Sequence, residues 1–366
     1  MKEYSEAILD KYRGCLLGGA AGDALGYAVE FLSESDIRAR YGARGITEYE
    51  LARGVAEISD DTQMTLFTAN GLLLALTENA PASACADYIA RCYAEWYRTQ
   101  GERYPLSLEK QYSWLVNVPA LFSPRAPGGT CLSALSAYLR GEKGSVKSPI
   151  NQSKGCGGVM RVAPVGLYFG EEISIEDVDR AAASAAALTH GHPLGYLPAA
   201  GLAHIVRLLS RGKDITLFDA VSDMIDTVSH LFADTPYIKD FTALMQKALA
   251  LAAADISELD AIHALGEGWV GEEALAIAVY CALKHQNDFA AAIASAVNHK
   301  GDSDSTGAIT GNILGAYLGL SAIPARYLER LELKDVILTL ADDLCLKNTA
   351  DPLWRSKYVL KTYAPA

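Results

Sequence analysis

The sequence has few of the features that mark secreted, membrane-spanning or nucleic-acid-binding proteins. Its seven cysteines are scattered, odd in number and without a CxxC pair, which is typical of reduced thiols rather than of a disulfide framework or a zinc site. The net charge of -12 argues against a nucleic-acid backbone as the main partner, because that partner needs a basic surface. The most apolar stretches are too short to span a bilayer, and the amino-terminal segment is charged where a signal peptide would be apolar. We therefore expect a cytoplasmic protein with no membrane partner.

Linkers and strand patterns are also scarce. No Pro/Ser/Gly-rich or charged linker interrupts residues 4–346, so we expect one domain, 1–366, although the length would allow two. Alternating strand patterns are nearly absent, and only Gly45–Leu51 and the neighbourhood of Val159–Phe169 are mild candidates. Apolar residues at three- and four-residue spacing instead predict helices at Leu66–Leu76, Val178–Leu188, Pro198–Leu209, Leu217–Leu231, Phe241–Ala252, Glu272–Leu283 and Phe289–Val297. The predicted fold class is all-α.

Three long stretches lack this helical spacing and are predicted to be loops. They are Ser33–Glu57, Pro105–Gly129 and Gly141–Gly157. Long loops in a compact domain often carry binding residues, so these stretches are candidates for parts of a functional site.

Two predicted helices carry glycine at every fourth position, at residues 14, 18, 22 and 26 and at residues 307, 311, 315 and 319. Each glycine in a helix interior costs about 0.8–1 kcal/mol relative to alanine, so eight would cost on the order of 6–8 kcal/mol. Close packing against another helix would offset that cost. A second interpretation, compatible with the first, is that the two helices form a central pair whose polar ends meet at a site.

Two acidic clusters stand directly before predicted helices. Ser59-Asp60-Asp61 precedes one helix, and Asp302-Ser303-Asp304-Ser305 precedes the second glycine-bearing helix. Oxygen-only sets of this kind suit Mg²⁺, Mn²⁺ or Ca²⁺. The alternative is helix capping, including a capping box between Asp60 and Gln63. Spacing alone leaves both interpretations open.

Five motifs, in order, resemble the signature of the ADP-ribosylglycohydrolase family, which includes the dinitrogenase reductase-activating glycohydrolases. They are GGAAGDALGYAVEF (18–31), SDDTQM (59–64), KGCGGVMRVAP (154–164), LTHGHP (188–193) and GDSDSTGAITG (301–311). Each is weak alone, but together they extend from about Tyr12 to Leu346. The resemblance implies a single-domain, orthogonal helical bundle of the ADP-ribosylglycohydrolase type.

The resemblance also implies a binuclear centre containing two Mg²⁺ or Mn²⁺ ions. Its ligands, carried over to this chain, are Ser59, Asp60, Asp61, Asp302, Asp304 and Ser305. The family usually has threonine at the positions of Ser59 and Ser305. Serine keeps the ligand oxygen but loses the methyl group that stiffens the side chain.

A glycine-rich segment matches the family's phosphate loop and predicts substrate contacts. The candidate residues are Ser153, Lys154, Gly155, Cys156 and Gly157, together with His190. The alternatives are a plain turn for the loop and a cap or core histidine for His190. Many relatives have asparagine where Cys156 stands, and a thiol is a poorer hydrogen-bond partner than an amide. No sequence neighbour of Cys156 indicates a base that would make it a nucleophile.

Four further residues each allow two interpretations. Asp23 would hold the glycine turns or support the metal ligands, and Glu30 matches a glutamate near the metals in some relatives, with a solvated loop role as the alternative. Arg161 would face the pyrophosphate or serve as a structural ion-pair partner. Trp269 would stack on adenine or simply begin a helix.

The activity that the resemblance implies is cleavage of the N-glycosidic bond of an ADP-ribosylated protein side chain, releasing ADP-ribose. Asp302 is the first candidate for the general base, Asp61 is the second, and Glu30 would assist as an acid or gate. The GDALGYAVEF segment looks nearest to relatives that act on ADP-ribosyl-arginine, ahead of serine linkages or O-acetyl-ADP-ribose. The rival hypotheses are a non-catalytic ADP-ribose-binding or structural relative and a binuclear-metal phosphoester hydrolase.

Overall fold

Helices account for nearly all regular structure in the computed structural model, which describes residues 6–211 and 214–363. The α-helices are α1 (Glu6–Tyr27), α2 (Glu34–Tyr41), α3 (Asp60–Thr77), α4 (Cys85–Thr99), α5 (Gly129–Leu139), α6 (Ala163–Tyr168), α7 (Ile175–Ala187), α8 (Pro193–Arg211), α9 (Leu217–Leu231), α10 (Ile238–Ala253), α11 (Glu258–Leu265), α12 (Gly271–Lys284), α13 (Phe289–Val297), α14 (Ser303–Leu318), α15 (Lys334–Leu346) and α16 (Pro352–Lys357). The two short strands β1 (Lys110–Gln111) and β2 (Lys361–Thr362) pair antiparallel, with Lys110 opposite Thr362. The predicted all-α class is confirmed.

The seven helices predicted from apolar spacing all appear in this fold. They lie in α3, α7, α8, α9, α10, α12 and α13, except that Leu188 is the C-cap of α7 rather than part of it. Several begin at a side-chain cap, as where the Oγ of Ser174 accepts a hydrogen bond from the backbone N–H of Asp177. Among the described residues, no helix is long and apolar enough to cross a bilayer.

The structure corrects three local predictions. Gly45–Leu51 contains no strand, and most of Val159–Phe169 is a turn followed by helix α6, where Pro164 occupies the first helical turn. The predicted loop Ser33–Glu57 contains helix α2, which Ser33 caps. Only Ile37 of α2 is buried, so this helix has no apolar periodicity by which the sequence could reveal it.

The glycine faces of α1 and α14 pack directly against each other in antiparallel orientation. A Cβ atom added to Gly22 would lie 1.9 Å from the carbonyl oxygen of Gly307, and one added to Gly311 would lie 1.9 Å from that of Gly18. The two backbones therefore touch, which accounts for glycine at these positions. The carboxyl end of α1 consequently lies beside the amino end of α14.

The remaining helices surround this pair. α15, α13, α8 and α3 all contact α1, and α12, α13, α8 and α3 contact α14. The first turn of α3 lies next to the junction of α1 and α14, so three chain segments that are distant in sequence meet at one end of the central pair.

Candidate metal and substrate site

Asp23, near the carboxyl end of α1, fixes the first turn of α3. Its buried carboxylate accepts hydrogen bonds from the backbone N–H of Ser59 at 2.9 Å and of Thr62 at 3.1 Å, and it also accepts one from the Thr62 hydroxyl. These are donors that the first turn of a helix leaves without partners inside the helix. Asp23 therefore orients the segment that contains the first acidic cluster.

Each acidic cluster contains a side chain that caps the helix that follows it. Ser59 Oγ accepts from the backbone N–H of Asp61 at 3.2 Å, and Asp302 Oδ1 accepts from that of Ser305 at 3.3 Å. The capping box considered for Gln63 does not form, because that side chain makes its hydrogen bonds elsewhere. In the second cluster Asp304 Oδ1 also accepts from the Ser305 N–H, at 2.9 Å. Capping therefore does not explain the carboxylates of Asp60 and Asp61.

The two acidic clusters meet although they are far apart in sequence. Ser305 Oγ donates a hydrogen bond of 2.8 Å to Asp61 Oδ2. Carboxylate oxygens of Glu30, Asp302 and Asp304 lie within 4.8 Å of one another. All five side chains are buried, so these acids face one another rather than open solvent.

The loop before α5 completes one side of this acidic centre. The backbone N–H of Gly128 donates to Asp60 Oδ2 at 3.1 Å, and the Arg125 carbonyl accepts from the backbone N–H of Asp60 at 3.0 Å. Ala126, Thr130 and Cys131 line the adjoining cleft. The sequence marked Pro105–Gly129 as a candidate loop but singled out none of these residues.

Burial and mutual repulsion raise the pKa values of the clustered acids. Burial first, and then the charge of Asp304, raises the pKa of Asp61 and of Asp302 well above the usual range. The same two causes, followed by the charge of Asp302, raise the pKa of Glu30 to about 10. Charge repulsion at such short range favours either protonation or a bound cation.

The donor set fits a divalent cation. One oxygen of Glu30, Oε2, is buried without a hydrogen-bond partner. Within the residues that the structure describes, no ion pair joins Glu30 or the four aspartates of the two clusters to a lysine, arginine or histidine. Converging carboxylate and hydroxyl oxygens are ligands that Mg²⁺ and Mn²⁺ prefer.

The glycine-rich loop passes along the other side of the cleft. Gly155 forms an isolated bridge with Val270, and the backbone N–H of Cys156 donates to the Trp269 carbonyl at 3.2 Å. Ser153 Oγ lies 3.1 Å from Thr130 Oγ1 and accepts from the Gly155 N–H at 3.3 Å. The loop is thus held at a fixed distance from the carboxylates.

His190 packs against this loop as a neutral ring. Burial, and then the charge of Arg161, lowers the pKa of His190 to about 3. Its Nδ1 lies 2.8 Å from Thr189 Oγ1. A Cβ added to Gly157 would lie 3.2 Å from Nε2 of this ring, so the second ring nitrogen lies beside the loop, and His190 lines the cleft.

The candidate residue Cys156 contacts the acidic centre directly. Its Sγ lies 2.7 Å from Asp302 Oδ2. Burial, and then the charges of Asp302 and Asp61, raises the pKa of the thiol well above its usual range. This environment suppresses the thiolate and argues against a nucleophilic role.

Arg161 has a structural role and does not face the cleft. Its side chain is fully buried, donates to Thr189 Oγ1 at 2.6 Å and to Cys131 Sγ at 3.2 Å, and lies over the Tyr93 ring at 4.6 Å. The prediction that Arg161 faces a pyrophosphate is therefore wrong. The alternative role, a structural ion pair, is also not found as such, because the partners of Arg161 are neutral groups rather than an acid.

The rim of the cleft carries aromatic and charged side chains. Trp269 lines the cleft, and its ring stacks on that of Phe31 with centroids 6.2 Å apart. Phe31 is 72% exposed, and sequence reasoning did not single it out. Lys154 Nζ lies 2.5 Å from Glu272 Oε1, so the predicted substrate contact of Lys154 would compete with an ion pair. The adenine-stacking role of Trp269 remains a prediction.

The acidic centre opens into a cleft of about 180 Å³. A larger groove of about 650 Å³, which includes Ile37, Ile262 and Ala294, lies between α2, α11 and α13. Its lining includes charged residues of both signs, whereas the group of candidate ligand oxygens found among the described residues lies at Glu30, Asp302 and Asp304. Because converging ionisable groups identify a reactive site better than volume does, the smaller cleft is the candidate site.

Replacing Asp23 with asparagine is expected to lower the free energy of unfolding by about 2 kcal/mol, because buried backbone and hydroxyl donors lose an acceptor. We also expect divalent-cation affinity to fall by about 10- to 100-fold through the shifted α3 turn. Denaturant unfolding and calorimetric titration measure the two effects. Asp10→Asn is the control, since Asp10 lies at the other end of α1 and accepts from Ser321. Wild-type cation affinity in Asp23→Asn would contradict this positioning role.

Comparison with known proteins identifies the family. The family model described as ADP-ribosylglycohydrolase matches residues 4–352. The chain therefore belongs to the ADP-ribosylglycohydrolase family, as its ordered motifs predicted.

Similar proteins match over most of their length. The ADP-ribosyl-dinitrogen reductase glycohydrolase of Rhodospirillum rubrum is 25% identical, and the match covers 90% of this chain and 92% of the relative. The ADP-ribosylarginine hydrolase Tri1 of Serratia proteamaculans is 26% identical, with 92% and 79% covered. A solved ADP-ribosylglycohydrolase-related protein complex superposes with a TM-score of 0.65 and 25% identity over 95% of this chain and 100% of that chain. The family and these relatives indicate ADP-ribosyl hydrolase activity.

Proposed function

We propose that this protein uses two divalent cations, Mg²⁺ or Mn²⁺, to hydrolyse the N-glycosidic bond between ADP-ribose and a protein side chain. The observation that carries the proposal is the 2.8 Å contact of Ser305 Oγ with Asp61 Oδ2, which joins the two acidic clusters. Arginine is the first choice of linkage, supported by the similarity to the Serratia relative, which is named as an ADP-ribosylarginine hydrolase. The partner would be an ADP-ribosylated protein or an ADP-ribose derivative.

The chain's own residues divide into ligands, substrate contacts and proton-transfer groups. The proposed metal ligands are Ser59, Asp60, Asp61, Asp302, Asp304 and Ser305. When bound, the two cations would supply positive charge for the ribose hydroxyls and lower the pKa of water in the site. The substrate contacts would be Ser153, Lys154, Gly155, Cys156, Gly157 and His190.

Each group has a role that its position supports. The glycine-rich backbone of Gly155–Gly157 can approach anionic oxygens closely, and neutral His190 can hydrogen-bond a ribose or phosphate oxygen without adding charge. Positive charge develops on the ribose as the glycosidic bond breaks, and nearby carboxylates stabilise it. Asp302 is the proposed general base, with Asp61 second, and Glu30 would assist as an acid or gate.

Removal of divalent cations is expected to abolish turnover and lower thermal stability. Ions that bind only the folded chain at 100 times their dissociation constant stabilise it by about 2.7 kcal/mol, so Mg²⁺ or Mn²⁺ should raise Tm after chelation. The measurements are hydrolysis of an ADP-ribosyl-arginine peptide and a thermal melt, with NaCl at matched ionic strength as the control. Full turnover in excess chelator, with Tm insensitive to both metals, would overturn the metal-dependent mechanism.

The identity of the product separates the proposal from its rivals. Free ADP-ribose and unmodified arginine peptide are the expected products. AMP or phosphate would instead identify a phosphoester hydrolase, and binding of ADP-ribose without turnover would identify a non-catalytic relative. A panel of arginine-, serine- and acetyl-linked substrates, assayed with each metal, tests the linkage.

A further inference from the structure

An exposed aromatic ring stands at the rim of the candidate site. Phe31, at 72%, is the most exposed large apolar side chain in the part of the chain that the structure describes. It directly follows Glu30, whose carboxylate belongs to the acidic centre, and consecutive Cα atoms are only about 3.8 Å apart. Its ring stacks on Trp269, which lines the cleft. Of this aromatic pair, one ring therefore forms part of the cleft wall and the other lies largely in solvent.

Hydrogen bonds fix the loop that presents Trp269. The carboxylate of Glu273 accepts from the backbone N–H of Glu267 at 2.9 Å and of Gly268 at 3.2 Å. The Glu267 carbonyl in turn accepts from the backbone N–H of Asp302 at 2.9 Å, which ties the loop to the second acidic cluster. The Trp269 backbone is thus held close to the carboxylates, and a binding surface fixed in advance loses little entropy when a ligand binds.

Position along the substrate decides which group the aromatic pair can meet. In the proposed reaction, the bond that breaks joins the distal ribose to the modified side chain, and this bond must lie at the acidic centre. Two riboses and a pyrophosphate separate the adenine from that bond, whereas the guanidinium of a modified arginine is attached directly to it. A ring carried by the residue next to Glu30 is therefore placed for the guanidinium rather than for the adenine.

We propose that Phe31, backed by Trp269, is the surface on which the guanidinium of an ADP-ribosylated arginine stacks, and that this contact selects arginine over serine linkages. The inference rests on the proposed function, because it presumes cleavage at the same centre. A guanidinium is planar and positively charged, and it stacks on aromatic faces. A serine linkage offers a neutral oxygen and no plane to stack. Phe31 is thus assigned as a specificity residue.

Substitution of Phe31 tests this selection, with the full-length protein and saturating Mg²⁺. Phe31→Leu keeps an apolar side chain but removes the aromatic face, so kcat/KM for an ADP-ribosyl-arginine peptide is expected to fall by about 5- to 30-fold. The affinity for free ADP-ribose and kcat/KM for an ADP-ribosyl-serine peptide should stay at the wild-type values, because neither ligand contains the guanidinium. Phe31→Tyr should retain the wild-type kcat/KM for the arginine-linked peptide, since tyrosine keeps an aromatic face. Steady-state kinetics and calorimetric titration provide these measurements.

Phe218→Leu is the matched control. Phe218 is an exposed phenylalanine on α9 and is not among the residues that line the cleft. This variant should equal the wild-type protein in all three measurements. The wild-type protein itself should hydrolyse the arginine-linked peptide at least about fivefold more efficiently than the serine-linked one.

Four results would overturn the inference. One is a wild-type kcat/KM for the arginine-linked peptide in Phe31→Leu, and another is an equal loss in Phe31→Leu and Phe31→Tyr. The third is a fall in ADP-ribose affinity by the same factor as kcat/KM, which would place the ring against the adenine or a ribose. The fourth is wild-type protein that hydrolyses the serine-linked peptide as efficiently as the arginine-linked one, and this result needs no variant to fold.

Failure of the proposed function gives a different result. Wild-type protein that hydrolyses neither peptide would remove the proposed function and this inference together. Wild-type protein that cleaves both peptides equally, or a Phe31→Leu variant with unchanged kinetics, would remove only the role of Phe31.

Discussion

Replacing Asp302 with asparagine is expected to lower kcat/KM for an ADP-ribosyl-arginine peptide by at least about 10³-fold, equivalent to about 4 kcal/mol of transition-state stabilisation. The carboxylate of Asp302 lies close to those of Glu30 and Asp304 and contacts the thiol of Cys156. Asparagine keeps the shape and the cap to α14 but removes a charge that would hold a cation and accept a proton. The fold should persist, since removing one of several mutually repelling carboxylates relieves repulsion.

Asp61→Asn should cause a loss of the same order, because Asp61 contributes the other half of the site through its contact with Ser305. Asp255→Asn is the matched control, since Asp255 is an exposed aspartate between α10 and α11. Steady-state kinetics with saturating Mg²⁺ measures the effect, and circular dichroism checks the fold. Near-wild-type turnover in both Asp302→Asn and Asp61→Asn would rule out the proposed mechanism.

Introducing alanine at Gly22 or Gly311 is expected to destabilise the protein by about 3 kcal/mol or more, although alanine is the better helix former by about 1 kcal/mol. The added Cβ would lie 1.9 Å from a backbone carbonyl oxygen of the opposite helix in each case. A backbone atom cannot rotate away as a side chain can, so α1 and α14 must move apart. Because this pair carries Glu30 and Asp302–Ser305 at one end, divalent-cation affinity should also fall.

Gly129→Ala is the control for this experiment. Gly129 is the first residue of α5, and no heavy atom lies within 4 Å of the Cβ that alanine would add. Here alanine should be neutral or stabilise the fold by about 0.4–1 kcal/mol, through the entropy of the unfolded chain. Denaturant unfolding of all three variants gives the comparison. Equal stabilities for Gly22→Ala, Gly311→Ala and Gly129→Ala would mean that the two helices separate without penalty.

The all-α class, the glycine contact and the meeting of the two acidic clusters could be anticipated from sequence. Apolar spacing determines buried helix faces, and glycine at every fourth position is so unfavourable in an isolated helix that a close partner is required. The prediction that the two clusters meet at one metal site came from the ordered motifs. Spacing alone could not distinguish a cap from a ligand at Ser59 or Asp302. The structure shows capping contacts at both residues.

Other features could not be anticipated, because they depend on contacts between distant segments. Nothing near Arg161 in sequence reveals that its guanidinium is enclosed by Tyr93, Cys131 and Thr189. The stacking of Phe31 on Trp269 joins residues from two different loops. Helix α2 was missed because polar residues occupy most of its length. Its signals lay only at its ends, in the Ser33 cap, the acidic first turn and Gly42 at the carboxyl end.

The antiparallel pairing of α1 with α14 also affects how the protein is made. Residues 28–302 must leave the ribosome before residues 303–318 can dock against residues 6–27, and such distant pairings form slowly. A nascent or truncated chain that stops before Asp302 has Glu30 and Ser59–Asp61 but lacks the opposing acids. Such a chain would therefore carry only one of the two acidic clusters that meet in the folded protein.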